Sequence, residues 1–198
     1  MGVEGLNIDF FTVSDGQIPD RGTILISEPF LTDAYFRRSV VYLTEHSKDG
    51  SIGFVLNKAL EMKVSDVIED FPDSDFLVSV GGPVSTNTIH YLHTMGDLIP
   101  GSVLVKDGIF WGGDFEEIRK LAGEKRIRKN ALRFFLGYSG WSPDQLDNEM
   151  KENAWLVGHI PSSLIMEAKD SGFWSKTLER FKNKYRAWAN FPEDPSFN

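Results

Sequence analysis

Ser139 is the side chain whose setting most resembles that of a nucleophile. It lies in Gly137-Tyr138-Ser139-Gly140-Trp141, between an apolar run at 131–136 suited to a buried strand and a segment with helical signals. An acyl-transfer serine in such a place sits on a G-x-S-x-G elbow, where two glycines relieve crowding around a strained turn. Here the second glycine comes one residue early, and the sequence places no acid–base partner. The residues therefore read as a structural turn bracketed by Gly137 and Gly140, where the backbone needs conformations closed to side chains. Ser142 fits the N-cap of the next helix, Pro143 its first position and Gln145 its third, which makes a capping box. The same helix start could hold an anion on its N–H groups. Pro143 removes one donor and Asp144 adds negative charge, so the capping reading is preferred.

Metal and nucleotide chemistry find less support. Of the four histidines, His46, His90, His93 and His159, only His90 and His93 are close in sequence. They are three apart in an expected strand, so they point to opposite faces and suit one metal poorly. His93 reads as a core or rim histidine with a satisfied ring. The absence of cysteine excludes disulfides, thiolate catalysis and cysteine-based metal sites. Gly81-Gly82-Pro83 follows an expected strand but belongs to neither G-x-x-x-x-G-K-[ST] nor G-x-G-x-x-G. The carboxylates Glu116, Glu117, Asp147 and Glu149 fall on expected helix surfaces, where helix entry and solvation account for them. No metal and no cofactor is assigned.

Electrostatics exclude one class and leave one local exception. The net charge of −8 opposes bulk attraction to nucleic acid or to an anionic membrane. Segment 119–133, however, carries Arg119, Lys120, Lys125, Arg126, Arg128, Lys129 and Arg133 against Glu124 alone. Such a block could meet phosphate. The preferred reading is a solvated helix end, where cations suit the C-terminal dipole. No window approaches the ~18 apolar residues of a membrane span, and the acidic start of the chain is unlike a signal peptide. A cytoplasmic protein is the expectation.

These residues need a scaffold, and 198 residues with 41% apolar side chains can build a sizeable core. Strands are expected at 23–27, 39–45, 52–57, 76–80, 88–94, 103–105, 109–111 and 154–160. The pairs 39–57 and 103–111 read as hairpins around Lys48-Asp49-Gly50 and Lys106-Asp107-Gly108. Helices are expected at 64–70, 115–122 (capped by Asp114, with Glu117 in the reciprocal position), 162–167 and 172–187. In the last, Trp174, Leu178, Phe181, Tyr185 and Trp188 form an amphipathic stripe that reads as core packing. Hairpins come first and most helix later, which favours α+β. Residues 1–20 read as an arm and 21–198 as one domain.

The ordered motifs PFLTDAYFRRSVVYL (29–43), GFVLN (53–57), GGPV (81–84), LH (92–93), GGD (112–114), FLGYSGW (135–141) with QL (145–146), NAW (153–155), FW (173–174) and DPSFN (194–198) are each weak alone. Together they resemble the AlgH/YqgE family of bacterial proteins, over nearly the whole chain from Arg21 to Asn198. Two departures are the longer N-terminal arm and Lys58, where arginine is common. The resemblance implies an α+β fold with a bifurcated mixed β-sheet that includes a small closed barrel and is surrounded by helices. Some members are labelled transcriptional regulators, and the resemblance carries over no catalytic residue.

The expected function is a non-catalytic regulatory protein that binds a protein or small-molecule partner. Its candidate binding surface is Asn57, Gly81, Gly82, His93, Ser139, Trp141 and Gln145, motif residues that form no catalytic set. The alternatives are direct nucleic-acid binding through 119–133, which the net charge disfavours, and a hydrolase using Ser139 or a distant histidine–carboxylate pair.

Overall fold

In the computed structural model residues 17–181 and 183–192 are described. Expectations for 1–16 and for the tail 193–198 lie outside the described residues. The sheet divides on one strand, Leu132–Trp141, here β9. The strands before it are β1 (Ile24–Ser27), β2 (Val40–Ser47), β3 (Gly50–Val55), β4 (Ala59–Lys63), β5 (Leu77–Val80), β6 (Val84–His93), β7 (Val103–Lys106) and β8 (Ile109–Trp111); β10 (Trp155–Gly158) follows it. The main order is β10-β1-β2-β3-β9-β6-β8-β7, with β4 paired to β5 and β5 paired to β9. The first half of β9 lies between parallel β5 and antiparallel β6, and its last residues pair with β3. This is the bifurcated mixed sheet expected above.

Alternation along β9 builds two cores. Leu132, Phe134 and Leu136 face one cluster, with Val78, Tyr91 and the helix Phe115–Gly123 (α1). Phe135 faces the other, with Tyr42, Phe54 and Leu92, which the helices Ser162–Glu167 (α3) and Phe173–Glu179 (α4) cover. Gly137 has φ +65 and interrupts the alternation, so Tyr138 joins the same cluster as Phe135 three residues earlier. A third cluster packs the helix Gln145–Lys151 (α2) through Leu146 and Met150 against Val41, Leu43 and Trp155. Helices thus lie over all three clusters.

Local chemistry explains most boundaries. The β7–β8 turn places Asp107 at φ 48 and Gly108 at φ 78, the left-handed pair that a two-residue hairpin needs. Asp114 caps α1 by accepting from Glu116 N (2.9 Å) and Glu117 N (3.2 Å). The reciprocal half does not form, because the Glu117 carboxylate takes Lys120 at 3.1 Å.

The helix expected at 64–70 is a 3₁₀ turn, Val64–Asp66, and three further expectations are corrected. The barrel does not close. The curled sheet brings β7 to Arg21 and Gly22, where the Arg21 guanidinium donates to Leu104 O and Lys106 packs on Gly22. Those two residues form a turn with Gly22 at φ +82, so no ladder completes the ring. The turn expected at 137–140 is instead continuous strand, and the helix after it starts at Gln145 with Asp144 at φ 62 as its N-cap. Ser142 does not cap; its N–H and hydroxyl donate to Gln145 Oε1 at 3.1 and 3.2 Å. The long C-terminal helix is broken. α4 ends in i−3 bonds (Arg180 N to Thr177 O, Phe181 N to Leu178 O), and a 3₁₀ segment, Asn183–Asn190, continues. The aromatic stripe still packs on the core through Trp174, Leu178, Phe181, Tyr185 and Trp188.

Candidate functional site

The seven candidate residues do not share one open surface. Ser139 is fully buried and donates to Gly81 O at 3.0 Å, while Val55 N donates to the same carbonyl at 2.9 Å. Gly81 and Gly82 lie against Gly137, Tyr138 and Ser139, so these three candidates do meet, as a crossing of two backbones. The Ser139 hydroxyl has a carbonyl as its partner and no base, so it serves that crossing. Asn57 is buried elsewhere: Oδ1 accepts from Val40 N and Nδ2 donates to Arg38 O, both at 2.9 Å. His93 is buried on the β6–β8 side, where both ring nitrogens are used. Nε2 donates to Gly112 O (3.0 Å) and Nδ1 accepts from Met95 N (3.2 Å). Burial holds its pKa below the ordinary histidine value, with the Gly112 bond opposing.

Trp141 and Gln145 belong to a clasp centred on Glu149. Glu149 Oε2 accepts from the indole N–H of Trp141 (2.9 Å) and of Trp155 (2.7 Å), and Oε1 accepts from Gln145 Nε2 (3.0 Å). One carboxylate thus ties β9, α2 and β10 together. Glu149→Ala is expected to lower the unfolding free energy by about 2–4 kcal/mol, since a buried donor left without its acceptor costs about 1–3 kcal/mol. Glu149→Gln keeps one acceptor oxygen and loses less. Urea titration followed by tryptophan fluorescence measures both.

A cleft of about 750 Å³, lined by none of the seven candidates, gathers several cationic side chains. The floor is Arg133, which is 3% exposed, beside Ser79 of β5. Leu132 and Phe134 face the α1 cluster, so alternation sends Arg133 to the other side of β9. Phe76 and Leu77 lead into β5 on one wall, and Ala122 and Ile127 after α1 form another. Lys125 and Lys129 stand in the loop that returns from α1 to β9, and Lys169 comes from the connection after α3.

Arg133 is an uncompensated buried cation. Its Nη1 donates to Ile165 O, its Nη2 to Leu56 O at 2.7 Å and to Ser79 Oγ at 3.5 Å, and its Cζ lies 4.9 Å from the centroid of the Phe135 ring. Among the described residues no carboxylate lies within ion-pair distance of it. Burial pushes its pKa down to about 9, a measure of how strongly this position disfavours the charge that an arginine nonetheless keeps at neutral pH. Lys169 is lowered too, first by burial and then by the neighbouring Arg133 and Lys129 charges, with Glu167 opposing. The carboxylates at the cleft, Asp73 and Asp75, are occupied by Lys63 at 3.3 and 3.7 Å.

The basic block 119–133 is therefore not one surface. Arg119 pairs with Glu116 (3.4 Å), Lys120 with Glu117 (3.1 Å) and Arg126 with Glu124 (2.9 Å), while Arg133 lies inside. The overlooked signal is local: an arginine between Leu132 and Phe134, in an apolar strand run, sits at a buried position. Lys169 and Ser79 come from distant segments and carry no such signal.

A family model described as AlgH-like matches residues 24–186. A UPF0301 protein of Bacteroides thetaiotaomicron is 45% identical over 199 residues, covering 98% of this chain and 100% of that protein. A UPF0301 protein of Chlorobaculum tepidum is 40% identical over 177 residues, covering 89% and 95%. The solution structure of the AlgH protein from Pseudomonas aeruginosa superposes with a TM-score of 0.70 at 21% identity, covering 90% of this chain and 98% of that one. A crystal structure of a Corynebacterium diphtheriae protein gives 0.72 at 21% identity, covering 90% and 95%. At that identity the structural likeness speaks for the fold.

Proposed function

The chain belongs to the AlgH-like family, whose molecular function is not established, and we propose that it is a non-catalytic regulatory protein that binds an acidic ligand in the cleft over Arg133. One observation carries this reading: a buried guanidinium at a cleft of about 750 Å³, held by two carbonyls and the Ser79 hydroxyl and by no described carboxylate. A buried cation is costly unless an opposite charge compensates it, and a ligand's acid group supplies that charge where the protein does not. The turnover alternative has less behind it, because Ser139 is buried on a carbonyl and His93 spends both ring nitrogens on the backbone. Direct nucleic-acid binding has less as well, since three cations of the 119–133 block are already ion-paired and the net charge is −8.

Equilibrium dialysis of the full chain against a bacterial metabolite extract, read by mass spectrometry, tests this. Acidic compounds are expected to concentrate on the protein and return chemically unchanged, and Lys129→Glu is expected to release them. Retention of no acidic compound contradicts the binding reading, and recovery of a converted product contradicts its non-catalytic half. The nucleic-acid alternative predicts a gel shift at low salt and micromolar protein, which is not expected here.

A further inference from the structure

Resting on the cleft reading above, we propose that the ligand's acid group is a phosphoryl dianion and that the group is carried on a flat apolar body, as in an aryl or nucleoside phosphate monoester. The charge at the site argues for a dianion. Four cations line the cleft, Lys125, Lys129, Arg133 and Lys169, against two carboxylates, Asp73 and Asp75. These two share Lys63 outside the lining, so the lining carries an excess of two positive charges. A carboxylate would compensate one cation of that set; a phosphate monoester brings close to two charges at neutral pH and three strong acceptor oxygens.

The donors fit the same group. Ile165 O, Leu56 O and, at 3.5 Å, Ser79 Oγ take three of the five guanidinium hydrogens of Arg133, which leaves two. Arg133, Lys129 and Lys169 line the same cleft, and the Lys169 amine is lowered first by burial and then by the Arg133 and Lys129 charges. Ser74 lines the cleft with a buried hydroxyl oxygen that has no hydrogen-bond partner. A buried hydroxyl without a partner is uncommon in a folded protein, so this wall of the cleft carries a spare polar group.

The body of the ligand is read from the walls. Phe76, Ile127 and Leu77 present apolar surface to the cleft, and Leu77 keeps 41% exposure, large for a leucine leading a paired strand. A volume of about 750 Å³ exceeds what a bare phosphate fills and lies within the range, about 300–1,000 Å³, of sites that enclose small organic ligands. The overall negative charge works against a polyanion such as RNA while leaving a small phosphate ester admissible.

Titration of isotope-labelled full-length protein with phenyl phosphate, benzoate and inorganic phosphate, followed by amide NMR, tests the proposal. Phenyl phosphate is expected to bind at least ~10-fold tighter than either comparison probe, a difference of about 1.4 kcal/mol. The shifts should centre on 74–79, 129–133 and 168–170. Lys169→Gln and Lys129→Gln should each weaken phenyl phosphate by about 10-fold while keeping the native spectrum. Benzoate binding as tightly at these residues overturns the phosphoryl class and leaves the cleft reading standing. Inorganic phosphate binding as tightly overturns the apolar body. Absence of shifts at these residues with all three probes overturns the proposal and the cleft reading together.

Discussion

Gly82→Ala is expected to leave the chain without its native fold. Gly81 and Gly82 carry the chain from β5 into β6 across the face of β9 at Gly137–Ser139. A methyl group at Gly82 would lie inside 3 Å of Tyr138 O and Ser139 N, and one at Gly81 inside 3 Å of Gly137 O. All of these neighbours are backbone, so no rotamer change relieves the overlap, and Gly82 at φ +154 adds its own strain. Moving the strands apart would break Gly81 N to Leu136 O (2.8 Å), Val55 N to Gly81 O (2.9 Å) and the Ser139 bond to Gly81 O (3.0 Å). The cost should exceed about 4 kcal/mol, the range of severe single substitutions, against a typical total stability of about 5–15 kcal/mol. Near-ultraviolet circular dichroism and thermal unfolding measure it; a native spectrum with an unchanged midpoint would show that the crossing yields more easily than its geometry implies.

Arg133→Met is expected to cost about 2–4 kcal/mol and to abolish stabilisation by anions. The substitution leaves Ile165 O and Leu56 O without their guanidinium donor, at about 1–3 kcal/mol each, partly offset because a costly buried charge is also removed. These two carbonyls belong to α3 and to the segment after β3, so the arginine ties together two elements that also pack in one core cluster. In the wild-type protein, phenyl phosphate should raise the denaturation midpoint progressively, as expected for a ligand that binds only the folded state. The methionine variant should show no such rise, and Arg133→Lys, which keeps charge without the planar fork, should fall between. Urea unfolding at increasing phenyl phosphate separates the effects: the drop without ligand reports the two carbonyls, and the slope with ligand reports the site. An equal rise in the methionine variant would place the anion elsewhere.

The residues show how far the sequence alone reaches. Local chemistry was enough for the two hairpins, the Asp114 cap, the α1 span and the start of α3, because each depends on neighbours in sequence. It was misleading at Gly137, where a glycine with positive φ reads as a turn although β9 runs on to Trp141; partners on β3, β5 and β6 decide that outcome. The C-terminal stripe has helical spacing throughout, yet packing of Trp174 and Leu178 against the core is satisfied while the chain tightens into 3₁₀ geometry near Phe181. Asn57, His93, Ser139 and Trp141 stand out as polar or aromatic motif members, and they do so because they repair backbone and packing in the interior. The cleft was half legible. Arg133 is visible as a cation in an apolar alternation, while Ser74 and Lys169 reach it from segments that no spacing rule connects.

Whether an anion seats over Arg133 is decided most directly by a structure of the full chain with phenyl phosphate. The phosphoryl group is predicted at hydrogen-bond distance, about 3 Å, from the Arg133 guanidinium, with Lys169 beside it and the ring against Phe76 and Ile127. A cleft that stays empty at saturating phenyl phosphate, or a ligand seated away from Arg133, would contradict that prediction.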